Sequence, residues 1–182
     1  MIIQAFICLS LLATGCTNAP EATATVESTG VETPAAPTPA TDDAAFVEVA
    51  AAGIQRDKTL VEVVVAKAAS RTVKGIATRL MAQQRDSQAQ LDSIARRLQL
   101  HIPSGINNNL QHHLDSLNAL AGADFERKYL SILSTELKKD MPLFENQANN
   151  GKDDALKAWA SAQLPALKQY LDQVEAIRSM LQ

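Results

Sequence analysis

The chain has 182 residues and is poor in cysteine and aromatic side chains. Its two cysteines, Cys8 and Cys16, both lie in the first 16 residues. The rest of the sequence therefore excludes disulfides, thiol catalysis, iron–sulfur clusters and cysteine-ligated zinc. Aromatic residues make up 4% of the chain, and the sequence contains no glycine-rich phosphate loop and no nucleophile elbow. The sequence therefore gives no indication of a P-loop nucleotide site or of an α/β-hydrolase nucleophile.

Positive charge is also missing from the first third of the sequence, because no lysine or arginine precedes Arg56. All 17 basic residues and 15 of the 20 acidic ones fall in residues 44–182, which gives this segment a net charge of about +2. The basic residues form no clustered stripe. The sequence therefore predicts no nucleic-acid partner.

A short apolar run opens the chain and ends in Ala13-Thr14-Gly15-Cys16. Its length is typical of a signal-peptide core and too short to span a bilayer comfortably. It resembles the signal peptide of a bacterial lipoprotein, which is cleaved before a cysteine that then carries lipids. This resemblance implies a signal peptide over 1–15 and lipidation of Cys16. Thr17 after the cysteine favours the outer membrane.

The run departs from a typical lipoprotein signal in two ways. Ala13 stands where leucine is commoner, and no basic residue precedes the apolar core, so either the true start lies upstream or the signal is weak. The alternative is a buried N-terminal helix of a cytoplasmic protein. We favour the lipoprotein, because the next segment offers no apolar surface against such a helix. We expect a periplasm-facing envelope protein that contacts the membrane through its anchor and an unidentified envelope protein.

The segment 16–43 begins with the anchor cysteine and is dominated by alanine, threonine and proline. Residues 17–43 contain five acidic residues, no basic ones and four prolines. Such a segment cannot bury enough apolar surface to offset its ordering entropy. We predict a disordered acidic tether with a reach of about 25–30 Å.

Residues 44–182 have the length of one domain and a helix-favouring composition. Apolar residues recur with a helical period over roughly 43–69, 70–98, 107–121, 124–149 and 153 to the end. Ser70 and Asp124 are candidate N-caps, Gly122 is a candidate end of the short helix, and Val61–Val65 alone could be read as a strand. The prediction is an all-α, ferritin-like, up-and-down four-helix bundle, with the short helix crossing one end. The residues expected to face inward on the first helix are Phe46, Val49, Ala50, Gly53, Leu60, Val61, Val64 and Ala68.

A series of short motifs runs in order through this domain. The motifs are Phe46-Val47, Ala50-Ala51, Val73-Lys74, Phe125-Glu126-Arg127, Leu143-Phe144-Glu145, Leu156-Lys157-Ala158-Trp159-Ala160 and Leu164-Pro165. Their ordered spacing resembles the bacterial family of domains of unknown function numbered 4142, over essentially all of 44–182. The resemblance implies an exported protein with a ferritin-like fold and implies no established reaction.

Typical members of that family carry histidines on helices two, four and five. The matching positions here are Gln84, Leu137 and Tyr170, whereas acidic positions are kept as Asp57 and Glu136. Ferritin-like di-metal sites use two Glu-x-x-His motifs, and this chain has none. The expectation is therefore no metal ion and no other cofactor.

Four polar residues interrupt the apolar stripes of four helices, namely Asp57, Gln84, Glu136 and Tyr170. We interpret them as a polar core layer, in which buried acids would hydrogen-bond to Gln84, Tyr170 or water. One alternative is that they are boundary residues turned to water. The others are a carboxylate-only metal or redox site, which would suit magnesium, calcium or manganese, and a small-molecule site.

The remaining candidate side chains favour structural roles. The three histidines, His101, His112 and His113, are expected at the surface, and Trp159 is expected as a core anchor. The sequence thus predicts a lipid-anchored bundle without catalysis of its own, acting as an interaction or stress-related component of the envelope.

Overall fold

The computed structural model describes residues 41–181, which form five helices and no strand within that range. The helices are α1 (Thr41–Lys67), α2 (Arg71–Arg97), α3 (Asn108–Asn118), α4 (Gly122–Asn150) and α5 (Asp154–Met180). The predicted all-α bundle is confirmed, and Val61–Val65 lies within α1. The predicted signal peptide, the lipidation of Cys16 and the tether up to residue 40 lie outside the described residues.

The four long helices pack so that each neighbouring pair is antiparallel. The end of α2 meets the start of α5, where Arg97 Nη2 donates to Asp153 Oδ1 at 2.6 Å. Nearer the other end, Arg79 Nη2 of α2 donates to Gln173 Oε1 of α5 at 3.3 Å. Pro142 and Pro165 lie inside α4 and α5, and both helices continue through them. No helix among residues 41–181 combines the length and apolarity needed to cross a membrane.

Two buried carboxylates fix the turns at opposite ends of the bundle. Asp43 of α1 accepts the backbone N–H groups of Lys152 and Asp153 at 3.0 and 2.8 Å, and thereby holds the α4–α5 turn. Glu126 of α4 accepts those of Ala69 and Ser70 at 2.8 and 2.6 Å, and holds the α1–α2 turn. The start of α1 therefore fixes the turn after α4, and the start of α4 fixes the turn after α1.

The domain begins earlier than the boundary at residue 44 that the sequence suggested. Helix α1 already includes Thr41, and Asp43 is fully buried. Composition placed Asp43 in the tether because it follows alanine, threonine and proline. Its hydrogen bonds, which composition does not reveal, place it in the bundle.

Helix α3 lies along the side of the α1–α4 pair and does not cross one end. Lys67 Nζ at the end of α1 donates to the carbonyl of Leu117 at 3.3 Å. At the start of α3, Asn107 and Leu110 line a cavity together with Gly53 of α1. α3 therefore belongs to a long crossover between α2 and α4, which both run in the same direction.

Of the three helix-end signals taken from the sequence, Ser70 is confirmed, whereas Asp124 and Gly122 have other positions. Ser70 caps α2 through Val73 N–H at 3.3 Å, and Asp153 caps α5. Ala121, and not Asp124, holds the N-cap position of α4. Asp124 lies in the first turn of this helix and forms an ion pair with Arg127. Gly122, predicted to end the short helix, opens α4 with a φ of +57°, a conformation that glycine adopts without strain.

Candidate functional site

Two apolar clusters fill the bundle interior, one toward each end. The Trp159 cluster contains the rings of Phe46, Phe144 and Trp159, whose centroids lie 5.1 to 6.1 Å apart. The Leu133 cluster contains Leu133 and Tyr129 with their apolar neighbours. Polar residues from all four long helices separate the clusters. We call these residues the polar layer: Arg56, Asp57, Gln84, Ser87, Glu136, Asp140 and Gln163.

Arg56 lies at the centre of the polar layer and binds three carboxylates. Its Nε donates to Asp57 Oδ1 at 2.9 Å, its Nη1 to Glu136 Oε2 at 2.7 Å and its Nη2 to Asp140 Oδ2 at 2.9 Å. The Arg56 side chain is only 8% exposed. One guanidinium therefore connects α1 to two successive turns of α4.

The polar layer carries more negative than positive charge. With every group ionised, Arg56 faces three carboxylates, a formal surplus of two negative charges. Burial opposes the charge of Arg56, but Asp57 and Asp140 more than compensate, and its pKa is raised. Burial likewise raises the pKa of Asp57, because Arg56 only partly offsets the loss of hydration. The carboxyl group of Asp57 therefore keeps its proton to a higher pH than an ordinary aspartic acid does.

Three of the four polar residues proposed from the sequence meet in this layer. Gln84 Nε2 donates to Asp57 Oδ2 at 3.0 Å, and Glu136 binds the same guanidinium as Asp57. Tyr170 is buried in the Leu133 cluster instead. No hydrogen bond joins it to Asp57, Gln84 or Glu136 in the described part of the chain. Burial raises the pKa of Tyr170.

Arg56 is the central residue that sequence reasoning missed. Charged residues are almost never fully buried unless they are paired, and the partners of Arg56 on α4 are not visible in the sequence around it. The available signal was its helical spacing, because Arg56 follows Gly53 by three residues and precedes Leu60 by four.

His113 is a second residue that the sequence placed incorrectly. It was expected at the surface, but its Nε2 lies 3.4 Å from Glu136 Oε1, and its side chain is 18% exposed. The helical period of α3 places it on the face that carries Leu110, Leu114 and Leu117. His112 points away and is exposed, as expected. His101 is exposed as well.

Two buried donors near the polar layer lack a hydrogen-bond partner among residues 41–181. They are the hydroxyl of Tyr129 and the indole N–H of Trp159. Burial, and then the charge of Asp57, raise the pKa of Tyr129. Trp159 packs as a core residue at 4% exposure. Unpaired donors in such positions are costly to bury.

A narrow cavity runs through the centre of the bundle at the level of the polar layer. The volume of the cavity is about 30 Å³, enough for roughly two water molecules. Asp57 and Asp140 line it on one side, and Phe144, Trp159 and Tyr170 line it with apolar surface. The cavity is thus mostly apolar with two acidic groups.

The geometry of the polar layer does not fit the metal site of a ferritin-like protein. The three carboxylates already bind the guanidinium of Arg56, so a metal ion could bind them together only by displacing it. Among residues 41–181, no three or more His, Cys, Asp or Glu side chains are grouped to hold a metal ion. Leu137, at one position that carries histidine in typical relatives, is fully buried in the Leu133 cluster.

The fold defines the protein as an all-α helical bundle with a polar layer in its core. The family model described as "Domain of unknown function (DUF4142)" matches residues 28–177, and the chain belongs to this family. The crystal structure of a DUF305 fragment from Deinococcus radiodurans is similar, with a TM-score of 0.71 and 13% identity. The alignment covers 79% of this chain and 99% of that one, and at this identity it shows the fold alone. No match to this chain was found among curated proteins.

Proposed function

We propose that this protein is a lipid-anchored component of the cell envelope, whose bundle acts through binding to another envelope protein and not through catalysis. The observation that carries the non-catalytic part is the Arg56 arrangement. Arginine remains protonated in proteins, so Arg56 is a poor proton donor or acceptor. Asp57, Glu136 and Asp140 each direct an oxygen at it, which leaves no carboxylate pair free for general acid–base chemistry. The layer is suited to fixing the register of four helices.

The anchoring part of the proposal rests on the sequence Ala13-Thr14-Gly15-Cys16. Lipid chains on one cysteine contribute about 0.8 kcal/mol for each buried methylene, and two or more chains give a stable anchor. Residues 17–40 would then separate the bundle from the outer membrane surface. A stress-related role fits the same location.

Fractionation of cells that produce the full chain tests the anchor. Cys16→Ser should leave the protein uncleaved or move it from the membrane to the soluble fraction. Cys8→Ser is the matched control, because it changes the other cysteine inside the apolar run and should leave anchoring unchanged. A Cys16→Ser protein that is still cleaved at the same bond and still membrane-bound would refute the proposal.

The second candidate function is a ferritin-like metal-binding or redox protein with a carboxylate-only site. The observation in its favour is the convergence of Asp57, Glu136 and Asp140 on one point. Elemental analysis after equilibration with iron, manganese and zinc separates the two candidates. The binding proposal expects no stoichiometric metal. One metal ion per chain, lost in Asp57→Asn and Glu136→Gln, would establish the metal candidate instead.

A further inference from the structure

A cavity opens between α1, α4 and the start of α3, on one side of the polar layer. Its volume is about 250 Å³, just below the usual range of small-molecule pockets, which begins at about 300 Å³. Arg56, Glu136 and Asp140 form its polar end, and Ala52 and Leu110 contribute apolar surface. The cavity is therefore large enough for a small organic molecule and holds charged groups in fixed positions.

Two carboxylates at the polar end have hydrogen-bonding capacity that the protein does not use. Glu136 binds Arg56 through Oε2 at 2.7 Å, and Asp140 binds it through Oδ2 at 2.9 Å. Within residues 41–181 their other oxygens, Glu136 Oε1 and Asp140 Oδ1, accept no hydrogen bond. His113 Nε2 lies 3.4 Å from Oε1 of Glu136 but forms no hydrogen bond to it. Both carboxylate side chains are largely buried, at 7% and 12% exposure, so a ligand with N–H donors would supply partners that they lack.

The charge at the polar end favours a cation over an anion or a neutral ligand. Arg56 supplies one positive charge for Asp57, Glu136 and Asp140. When Asp57 holds its proton, one negative charge next to the cavity still has no counter-ion. Lys139 also lines the cavity, but its side chain is exposed and forms no ion pair among residues 41–181. A ligand with a single positive charge therefore complements this end of the cavity.

An apolar cavity adjoins the first one at Val49, which lines both. Phe46 and Leu143 also line it, and its volume is about 370 Å³. Val49 and Leu143 are 43% and 39% exposed, so the wall of this cavity presents apolar surface to solvent. Val49 precedes Arg56 by seven residues on α1, a distance of about 10 Å along the helix. A linear apolar chain that starts at the polar end would cover this surface.

We propose that the two adjoining cavities bind a primary amine that carries a linear apolar chain. The ammonium group donates to the free oxygens of Glu136 and Asp140, and the chain lies over Val49 and Leu143. Arg56 keeps its bonds to the other carboxylate oxygens, so binding leaves the polar layer intact. This ligand-binding role does not depend on the proposed membrane anchor or on an envelope partner.

Calorimetric titration of the full chain with hexylamine at pH 7 tests the site, because an alkylamine is then protonated, as lysine is. Hexanol and hexanoate have the same chain length with a neutral and a negative head group, and serve as controls. Hexylamine should bind at one site per chain and at least about tenfold more tightly than either control, because only the ammonium forms charged hydrogen bonds to the carboxylates. Equally tight binding of hexanol, or no binding of hexylamine, would overturn the proposal.

Substitutions then locate the bound amine. Ala52→Leu fills the cavity without removing a charge and should weaken hexylamine binding by at least about tenfold. Ala66→Leu, at an exposed position of the same helix, should leave it unchanged. Asp140→Asn should also weaken binding, whereas Lys139→Gln, which removes a like charge from the rim, should strengthen it about twofold to threefold. Hexylamine binding that is unchanged in Ala52→Leu would place the amine elsewhere and overturn the proposal.

Discussion

Arg56 Nη1 donates to Glu136 Oε2 at 2.7 Å, and the two residues lie 80 positions apart in the sequence. The bond joins α1 to α4 at the level where α1 also carries Asp57 and α4 also carries Asp140. Each of these carboxylates binds the same guanidinium. The interior of the bundle therefore depends on one cation for the solvation of three anions.

Arg56→Met should be strongly destabilising, because it leaves three buried carboxylates without a counter-ion. Breaking a buried ion pair by removing one partner costs about 3–5 kcal/mol in the free energy of unfolding. The loss should be largest near pH 7 and smaller near pH 4, where the carboxyl groups can take up protons. Arg96→Met is the control, since Arg96 is exposed on α2. Equal denaturation midpoints for the two variants would contradict the central role of Arg56.

Asp57→Asn should instead stabilise the protein at neutral and alkaline pH. Because the pKa of Asp57 is raised by burial, the folded protein holds this proton more tightly than the unfolded chain does. The stability of the wild type therefore falls as pH rises from below the ordinary carboxyl pKa through the raised value. The variant cannot lose stability by this deprotonation, so its Tm at pH 8 should exceed that of the wild type by about 2–6 °C.

The comparison for Asp57→Asn is a series of thermal melts between pH 4 and 8. Asp86→Asn, at an exposed position of α2, should follow the wild type at every pH. The side-chain amide introduced by Asp57→Asn can still accept from Arg56, and the amide of Gln84 can rotate to offer its oxygen. A lower Tm for Asp57→Asn at pH 8 would show that the charge of Asp57 is needed to hold Arg56.

The sequence was sufficient for the helices and their bundle, because those depend on a period that repeats over many residues. The packing of Val73, Ile76 and Leu80 inside α2 follows directly from that period. Val49 shows the limit of the method, since it was expected inside and is 43% exposed. It lies between Phe46 and Ala50 on the helical period, so the period alone does not distinguish it from its buried neighbours.

The charged contacts could not be predicted in the same way. The stripe of α1 and the stripe of α3 do include Arg56 and His113, but no role was assigned to Arg56, and His113 was assigned to the surface on chemical type alone. Their partners are on other helices, so the pairing becomes visible only when the helices are packed. Glu126 is similar, because the backbone groups that it binds belong to a turn 56 and 57 residues away.

Asp43→Ala should lower stability by releasing the α4–α5 turn. Asp43 accepts from Gln147 Nε2 at 2.8 Å and from the two backbone N–H groups of the turn. Hydrogen bonds to a charged group contribute about 1.5–3 kcal/mol each, so a loss of at least about 2 kcal/mol in unfolding free energy is expected. Glu48→Ala, at an exposed position of α1, should have little effect.

Truncation checks the same contact independently of the substitution. A chain of residues 41–182 should melt at a higher temperature than one of residues 44–182, because only the former keeps Asp43. Equal melting temperatures for the two chains would place the folded boundary at residue 44, as composition alone suggests.

Tyr129→Phe should leave stability unchanged or raise it, although Tyr129 is among the largest buried side chains. Its hydroxyl has no hydrogen-bond partner in the described residues. Phenylalanine keeps the ring packing and removes a desolvated polar group, a gain of about 1–2 kcal/mol by the cost of burying an unpaired hydroxyl. Tyr170→Phe, in the same apolar cluster, is the control and should change stability less. If denaturant unfolding shows that Tyr129→Phe is destabilised, the hydroxyl must have a hydrogen-bond partner, and a buried water becomes the first candidate.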